Sequence, residues 1–255
     1  GRRAMKKFLK FVVLPLTGLI VIVAALGAYV VATFDPNKYK PQIIQAVKDK
    51  TQRTLKLDGD IKLSLFPDIG VTLGKASLSE HAGSREFAGV EDLRVAVKLM
   101  PLLSKEVVVD TVEVKNLRAH LVRHKDGTTN VDDLTGSGAK PAPAAKSEGP
   151  QVKIDIDHVS IQNAAITYAD EGAGAKYALS KLNLKTGRIA IGVPSKIDLA
   201  VNIQSDKPKL NVDAALKTTV TFDLDKQHYS FAGLDFSAKG AAAGVSNLVA
   251  SAKGD

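Results

Sequence analysis

The sequence predicts a mainly β protein that is carried on an N-terminal membrane helix. Two observations lead to this fold class. Residues 11–34 contain no charged side chain, and apolar residues alternate with polar ones through most of the chain after residue 54. An uncharged run of this length is typical of a membrane span. A period of two is typical of strands that have one buried face.

The uncharged segment is long enough to cross a bilayer as a helix. About 24 residues at roughly 1.5 Å each give a helix of about 36 Å, against a hydrocarbon core of about 30 Å. A secretory signal usually has a shorter apolar stretch, of about 7–15 residues. Ala25 and Gly27 leave a cleaved signal as the alternative, and Pro15 is compatible with a membrane helix. We therefore expect a retained anchor.

The residues before the anchor form a basic tail, residues 1–10, which should stay in the cytoplasm because positive charge is retained there. Without this tail the net charge falls from +8 to +3, with 30 basic and 27 acidic side chains. The excess charge therefore indicates contact with anionic lipid rather than with nucleic acid, which would need basic residues clustered with aromatic ones. The membrane-surface residues are Arg2, Arg3, Lys6, Lys7 and Lys10.

A short amphipathic helix is predicted directly after the anchor, over residues 35–53. Asp35 is a good N-cap, and Pro36 suits the first helical position. Apolar side chains then recur near helical spacing between lysines. We expect this helix to cover an edge or end of the sheet, and the alternative is that it lies on the outer leaflet. The apolar positions are Tyr39, Ile43, Ile44 and Val47.

Two β segments follow, over residues 54–135 and 151–255, and residues 136–150 between them are rich in Pro, Gly and Ala. That composition predicts a flexible linker. Antiparallel pairing is expected within the sheet, because the connections are too short for helical crossovers. The pattern ends without a stop signal, so we expect the second segment to be truncated. The alternating apolar candidates are Ile61, Leu63, Leu65, Val71, Leu93, Val95, Val97, Val112, Val114, Ile197, Leu199 and Val201.

A weak internal repeat connects the two segments. Residues 111–116 read TVEVKN and residues 158–163 read HVSIQN, and an acidic-Gly turn follows each of them. Two copies of one β unit would explain the match. Chance similarity between two amphipathic strands is the competing explanation.

No catalytic or metal-binding set is found in the sequence. Cys is absent, and no GxSxG, P-loop or HExxH pattern occurs. His120 and His124 would lie about 13 Å apart in an extended chain, which is too far for one metal ion. Asp132 and Asp133 are interpreted as exposed turn acids, and Asn130 as a turn former. We expect a protein that is not an enzyme and has no cofactor.

The chain resembles the N-terminal region of the AsmA family of bacterial envelope proteins. The resemblance is carried by the anchor, by FDPNKYKPQIIQAVKDKTQRTLKLDGDIKLSLFPDIGVTL at 34–73, by LMPLLSKEVVVDTVEVKN at 99–116 and by LVRHKDGTTNVDDL at 121–134. It implies a single-pass inner-membrane protein that faces the periplasm of a Gram-negative cell. It also implies a curved antiparallel β-groove, β-taco-like and part of a longer groove, that carries phospholipid between the two envelope membranes and supports outer-membrane integrity.

Periodicity alone leaves the apolar face undecided between a closed sandwich with a dry interior and an open groove. The resemblance favours the groove, and the twelve alternating residues would then contact lipid acyl chains. A different function remains open: a periplasmic scaffold that binds envelope proteins during outer-membrane assembly and carries no lipid.

Overall fold

The computed structural model describes residues 33–65, 68–104, 106–135, 152–153, 155–223 and 228–255. The basic tail, the linker and nearly all of the predicted anchor lie outside these ranges. Within them, no helix combines the length and the apolar character that a membrane crossing requires.

Helices are few and short in the described residues. A 3-10 turn, Pro36–Tyr39, leads into α1, Lys40–Thr51, which ends at Gln52 in the left-handed region. Asp35 caps the turn as predicted, since its side chain accepts a hydrogen bond from the Asn37 amide. The other two helices are α2, Leu99–Leu103, and α3, Asp132–Thr135.

Strands account for most of the remaining described residues. They are β1 Leu55–Leu57, β2 Ile61–Ser64, β3 Ile69–Leu73, β4 Ala76–Ser79, β5 Glu86–Val90, β6 Asp92–Val97, β7 Val107–Lys115, β8 Arg118–Arg123, β9 Val152–Lys153, β10 Asp155–Ile156, β11 His158–Asp170, β12 Ala175–Thr186, β13 Ile189–Ala190, β14 Ser195–Asp206, β15 Lys209–Asp223, β16 His228–Ala242 and β17 Val245–Gly254.

One large mixed sheet contains nearly all of these strands. The first eight strands form four long bent strands, β1–β2, β3–β4, β5–β6 and β7–β8, and each pairs along both of its halves with the next. The sheet then continues through β11, β12, β14, β15, β16 and β17. The main path therefore crosses ten long strands, and β10 and β13 pair separately.

The prediction of an all-antiparallel sheet is wrong at the two junctions that involve β7. The β7–β8 strand runs parallel to β11, and β9 also runs parallel to β7. Parallel neighbours need a long crossover, and residues 124–157 supply it. The other neighbours along the main path are antiparallel, as the short connections predict.

The two copies of the weak repeat are partners across this parallel junction. Thr111 pairs with His158, Val112 with Val159, and the match continues in register to Lys115 and Gln162. The next residues, Asn116 and Asn163, both have φ near +50° and share a side-chain hydrogen bond of 2.8 Å. The sequence similarity therefore has a structural counterpart, because the β-branched residues and the asparagine of the two copies occupy equivalent places in two adjacent strands.

A line of backbone irregularities crosses the first six long strands. β11 has an extra residue at Asn163 and β12 at Lys181, and both residues are left-handed. At the β1–β2 and β3–β4 junctions, the Gly59 amide donates to the Lys75 carbonyl and the Gly74 amide to the Asp60 carbonyl. Such bulges bend strands and increase their twist, so the sheet is bent along this line.

Near one end of the bent sheet, Arg53 fixes the loop that carries α3. Its guanidinium is 0% exposed and donates to both carboxylate oxygens of Asp133, at 2.7 and 2.6 Å. It also donates to the Ser79 and Asn130 carbonyls and stacks 4.6 Å from the Phe87 ring centre. The two charge-assisted bonds from Arg53 to the Asp133 carboxylate hold the pKa of Asp133 below its ordinary value.

The interpretation of Asp133 and Asn130 as turn residues is therefore incomplete. Asp133 neutralises the charge of the buried Arg53 guanidinium. The side-chain NH2 group of Asn130 donates hydrogen bonds to the Glu80 carboxylate and to the His120 carbonyl. Its side-chain oxygen accepts a hydrogen bond from the Val122 amide. Asp132 does act locally, because it accepts two hydrogen bonds from Thr129 at the start of α3.

Candidate functional site: the apolar face of the sheet

Apolar side chains from all ten long strands lie in one cross-strand row. Each residue in this row is the register partner of the next. Ten strands give nine spacings of about 4.8 Å, so the row is about 43 Å long. We call it the central row. It consists of Ile61, Leu73, Leu93, Val114, Ile161, Leu184, Leu199, Leu216, Phe236 and Ala252.

A second row crosses the same ten strands on the other side of the bend. Its members are again paired in register from strand to strand. All but one of them have an apolar side chain, and the exception is a glycine. This second row consists of Leu55, Leu78, Ala88, Ala119, Ile166, Leu179, Ile203, Val212, Gly240 and Leu248.

The bulges keep both rows on one face of the sheet. Alternation alone would move every apolar residue beyond an extra residue to the opposite face. In β11 the apolar positions shift from Ile161 to Ala164, and in β12 they shift from Leu179 to Leu182. The sequence and the backbone therefore change phase together, and the apolar face is continuous across the bend.

Eleven of the twelve predicted candidates lie on this face. Four of them belong to the central row: Ile61, Leu93, Val114 and Leu199. Four others form the row next to it, in which Leu63 pairs with Val71, Val71 with Val95, and Val95 with Val112. Val97 pairs with Ile69 on the same face. Ile197 and Val201 are two positions from Leu199 in β14 and so share its face. Leu65 is the exception, because β2 ends one residue before it.

The apolar face is only partly covered. Of the twelve candidates, Ile61 is buried, Leu65 and Val71 are exposed, and the others are half-buried. Most of the fully buried apolar residues in the described chain are alanines. The single large side chain below 2% exposure among these residues is that of Arg53. In a closed sandwich, the side chains of two facing sheets interdigitate at native packing density, and these Leu, Ile and Val side chains do not reach that burial.

A concavity of about 760 Å³ lies at the end of the sheet where β11 and β12 join. Its lining comes from the ends of β11, β12, β14, β15, β16 and β17. It includes Tyr168 and Tyr177, which are register partners with stacked rings 6.4 Å apart. Its size falls within the range of ligand pockets, roughly 300–1,000 Å³.

Sequence reasoning missed several residues of this face. Ile161, Leu184, Leu216 and Phe236 belong to the central row but were not among the candidates. Their strands do alternate between apolar and polar residues. The alternation shifts by one residue at each bulge, and this shift is the signal that shows which apolar positions share a face. The parallel register of β7 and β11 could have been found from the repeat, since it aligns Val114 with Ile161.

Comparison with known proteins agrees with the resemblance seen in the sequence. The profile of the AsmA family matches residues 5–246, which is most of the chain. The chain is also 27% identical over 153 residues to Protein AsmA of Escherichia coli strain K12. That similarity covers 60% of this chain and 24% of the relative, so the chain spans about a quarter of the relative's length. This chain belongs to the AsmA family.

Proposed function

We propose that this protein is anchored in the bacterial inner membrane by residues 11–34 and carries phospholipid acyl chains along the apolar face of its sheet. The bulk of the chain would lie in the periplasm, and the protein would contribute to lipid transport to the outer membrane and to outer-membrane integrity. The observation that carries this proposal is the uninterrupted central row of ten apolar residues, most of which are only half-buried.

The energetic argument concerns the hydrocarbon tails. Each methylene that is shielded from water contributes about 0.8 kcal/mol. A tail that moves along a continuous apolar row keeps this contribution at every step, because each row residue is adjacent to the next. An interruption by a charged side chain would instead expose the tail or bury the charge. The charged headgroup would remain in water at the open side of the face.

Membership of the AsmA family supports a role in the cell envelope, and the length of the central row limits what the described residues can do alone. About 43 Å of apolar path is one part of a route between two membranes. Of the ten long strands, β1–β2 is the nearest to the predicted anchor in sequence, with only the 3-10 turn and α1 between them, so we assign lipid loading to the edge of the sheet that begins there.

Site-specific photocrosslinking in cells tests the proposal. A photoreactive amino acid at Leu63, Val95 or Leu199 should give adducts with phospholipid, because all three side chains lie on the apolar face. The matched control positions are Lys62, Arg94 and Asp198, each adjacent in sequence and on the opposite face. If the folded protein gives no lipid adduct at Leu63, Val95 or Leu199, the proposal is wrong.

The same experiment separates lipid transport from the scaffold function. A scaffold should give one dominant protein adduct and no lipid adduct at these three positions of the apolar face. A lipid carrier should give phospholipid adducts at Leu63, Val95 and Leu199, and phospholipid should co-purify with the full chain.

A further inference from the structure

The two most exposed large apolar side chains in the described residues lie on α2, whose sequence is LMPLL. Met100 is 73% exposed and Leu103 is 75% exposed, and Leu99 is also exposed. Among the described residues, Val249 on the last strand is the one other large apolar side chain with comparable exposure, 71%. Scattered exposed apolar residues are common in soluble proteins, but a contiguous exposed apolar patch is typical of an interaction site.

The conformation of α2 is held by the fold. The Lys98 amide donates to the Val108 carbonyl, so the start of the helix is tied to β7. The amides of Ser104 and Glu106 both donate to the Pro101 carbonyl at 2.9 Å and close the turn. The exposed side chains are therefore presented by a defined backbone.

The position of α2 relative to the predicted anchor follows from the strand register. Asn37, three residues after the anchor, makes two hydrogen bonds to the backbone of Ile61 in the edge strand, at 2.8 and 3.1 Å. Leu93 lies two strands from Ile61, which is about 10 Å, and Val97 lies about 13 Å further along β6. α2 starts two residues later, so it lies roughly 20 Å from Ile61, at the end of the sheet toward which β2 runs.

Other exposed apolar side chains accompany α2 in this part of the molecule. Phe34 and Tyr39 are exposed, and their rings stack 5.5 Å apart at the end of the anchor segment. Leu65 is exposed at the end of β2, on the same end of the sheet as α2. Aromatic residues are enriched where a chain crosses the membrane surface. These exposed apolar residues thus form two groups, one at Phe34 and Tyr39 and one at α2 with Leu65.

Two of the carboxylates near α2 are paired with basic side chains. The Asp68 carboxylate pairs with Arg94 at 2.7 Å, and the Asp110 carboxylate lies 3.9 Å from the Lys98 ammonium. These pairs reduce the repulsion of Asp68 and Asp110 near anionic headgroups, whereas Glu106, just after α2, is exposed.

From this arrangement we propose that α2 inserts Leu99, Met100 and Leu103 into the same membrane leaflet from which residues 11–34 emerge. The inference rests on the proposed function for the anchor. The anchor alone would leave the sheet free to rotate about one point. A second contact at α2 fixes the edge strand, and with it the start of the apolar face, at the bilayer surface.

The test uses the full chain reconstituted in vesicles of phosphatidylethanolamine and phosphatidylglycerol. Because the chain contains no cysteine, M100C, L103C and V249C each accept a single environment-sensitive NBD label. We expect a blue shift and several-fold stronger quenching by nitroxide-labelled acyl chains at positions 100 and 103 than at 249. Position 249 is the matched control, since it has nearly the same exposure but lies on the strand farthest from the anchor.

The inference is overturned if the NBD labels at 100 and 103 show no blue shift and no stronger nitroxide quenching than the label at 249. This outcome is distinguishable from failure of the proposed function. Lipid adducts at Leu63, Val95 and Leu199 together with an aqueous α2 would reject only the membrane contact. A buried α2 together with no lipid adduct would support the contact and reject lipid transport.

Discussion

Single residues set the points at which this sheet bends, and at Gly59 the main chains of the first two long strands approach each other closely. A Cβ atom at this position would lie 2.3 Å from the Lys75 backbone nitrogen and 2.6 Å from the Gly74 carbonyl carbon. Both are main-chain atoms, so a rotamer change cannot relieve the clash. The two halves of the first long strand can remain paired with the second because no side chain intervenes at this crossing.

We therefore expect Gly59→Ala to lower the free energy of unfolding by about 1–3 kcal/mol, the usual range for overpacking. Gly187→Ala is the matched control, because its added Cβ would make only ordinary contacts, at 3.6 Å from the Lys196 nitrogen. Urea unfolding of both variants measures the difference. Equal stability of the two variants would contradict the close approach at Gly59.

The Arg53–Asp133 pair is the second feature at this scale, and it predicts acid sensitivity. The folded protein holds the pKa of Asp133 below the ordinary aspartate value of about 3.9. A carboxylate of this kind contributes stability above its unfolded pKa, and the contribution is lost as the pH falls through its folded pKa. Asp133→Asn leaves the Arg53 charge buried without a carboxylate, which costs on the order of 3 kcal/mol near neutral pH.

The measurement is urea unfolding of the wild type and Asp133→Asn between neutral pH and pH 3. The stability difference should be largest near neutral pH and should shrink as the pH falls below about 4. Asp235→Asn is the control, since that carboxylate is mostly exposed and lies 3.9 Å from Lys253. A difference that grows on acidification would exclude the assigned role of Asp133.

At the scale of elements, the bulges decide how the strands share one apolar face. β7–β8, β11 and β12 each carry one left-handed residue, at Asn116, Asn163 and Lys181. Asn tolerates this conformation better than most residues because its short side chain makes local hydrogen bonds. Here the Asn163 amide group bonds to Asn116, and the Asn163 backbone amide bonds to Asn183. The bulges are thus joined across neighbouring strands.

This arrangement predicts different effects for two substitutions at one position. Asn163→Gly should preserve the fold, because glycine adopts positive φ without strain. Asn163→Val should lower the unfolding free energy by about 1–2 kcal/mol, because a β-branched residue is strained at φ 53°. Thermal unfolding followed by circular dichroism compares the two variants. If valine is tolerated as well as glycine, the bulge does not require a left-handed residue at this position.

For the molecule as a whole, the decisive feature is the continuity of the central row. Leu199 is the row member in β14, and its neighbour Ala200 is exposed on the opposite face. A charge at position 199 would interrupt the apolar path, whereas the same charge at position 200 would face water. The two positions therefore form a pair that separates the effect of the path from the effect of added charge.

We expect Leu199→Glu to abolish most phospholipid recovery with the purified full chain, while Ala200→Glu retains the wild-type level. Circular dichroism spectra of both variants check that the sheet is intact. Phospholipid adducts from a photoreactive group at Leu63 provide a second readout upstream of the block. Equal lipid recovery from the two variants would argue against transport along the central row.

The sequence by itself determined the strand content, the Asp35 cap of the 3-10 turn, the family and many of the apolar face positions, because all of these depend on residue types at close spacing. Eleven of the twelve candidate residues lie on one face for that reason. Tertiary structure decided the parallel junction of β7–β8 with β11, the pairing of Arg53 with Asp133, and the alignment of the bulges. These depend on which distant segments become neighbours, and local periodicity carries no information about that choice.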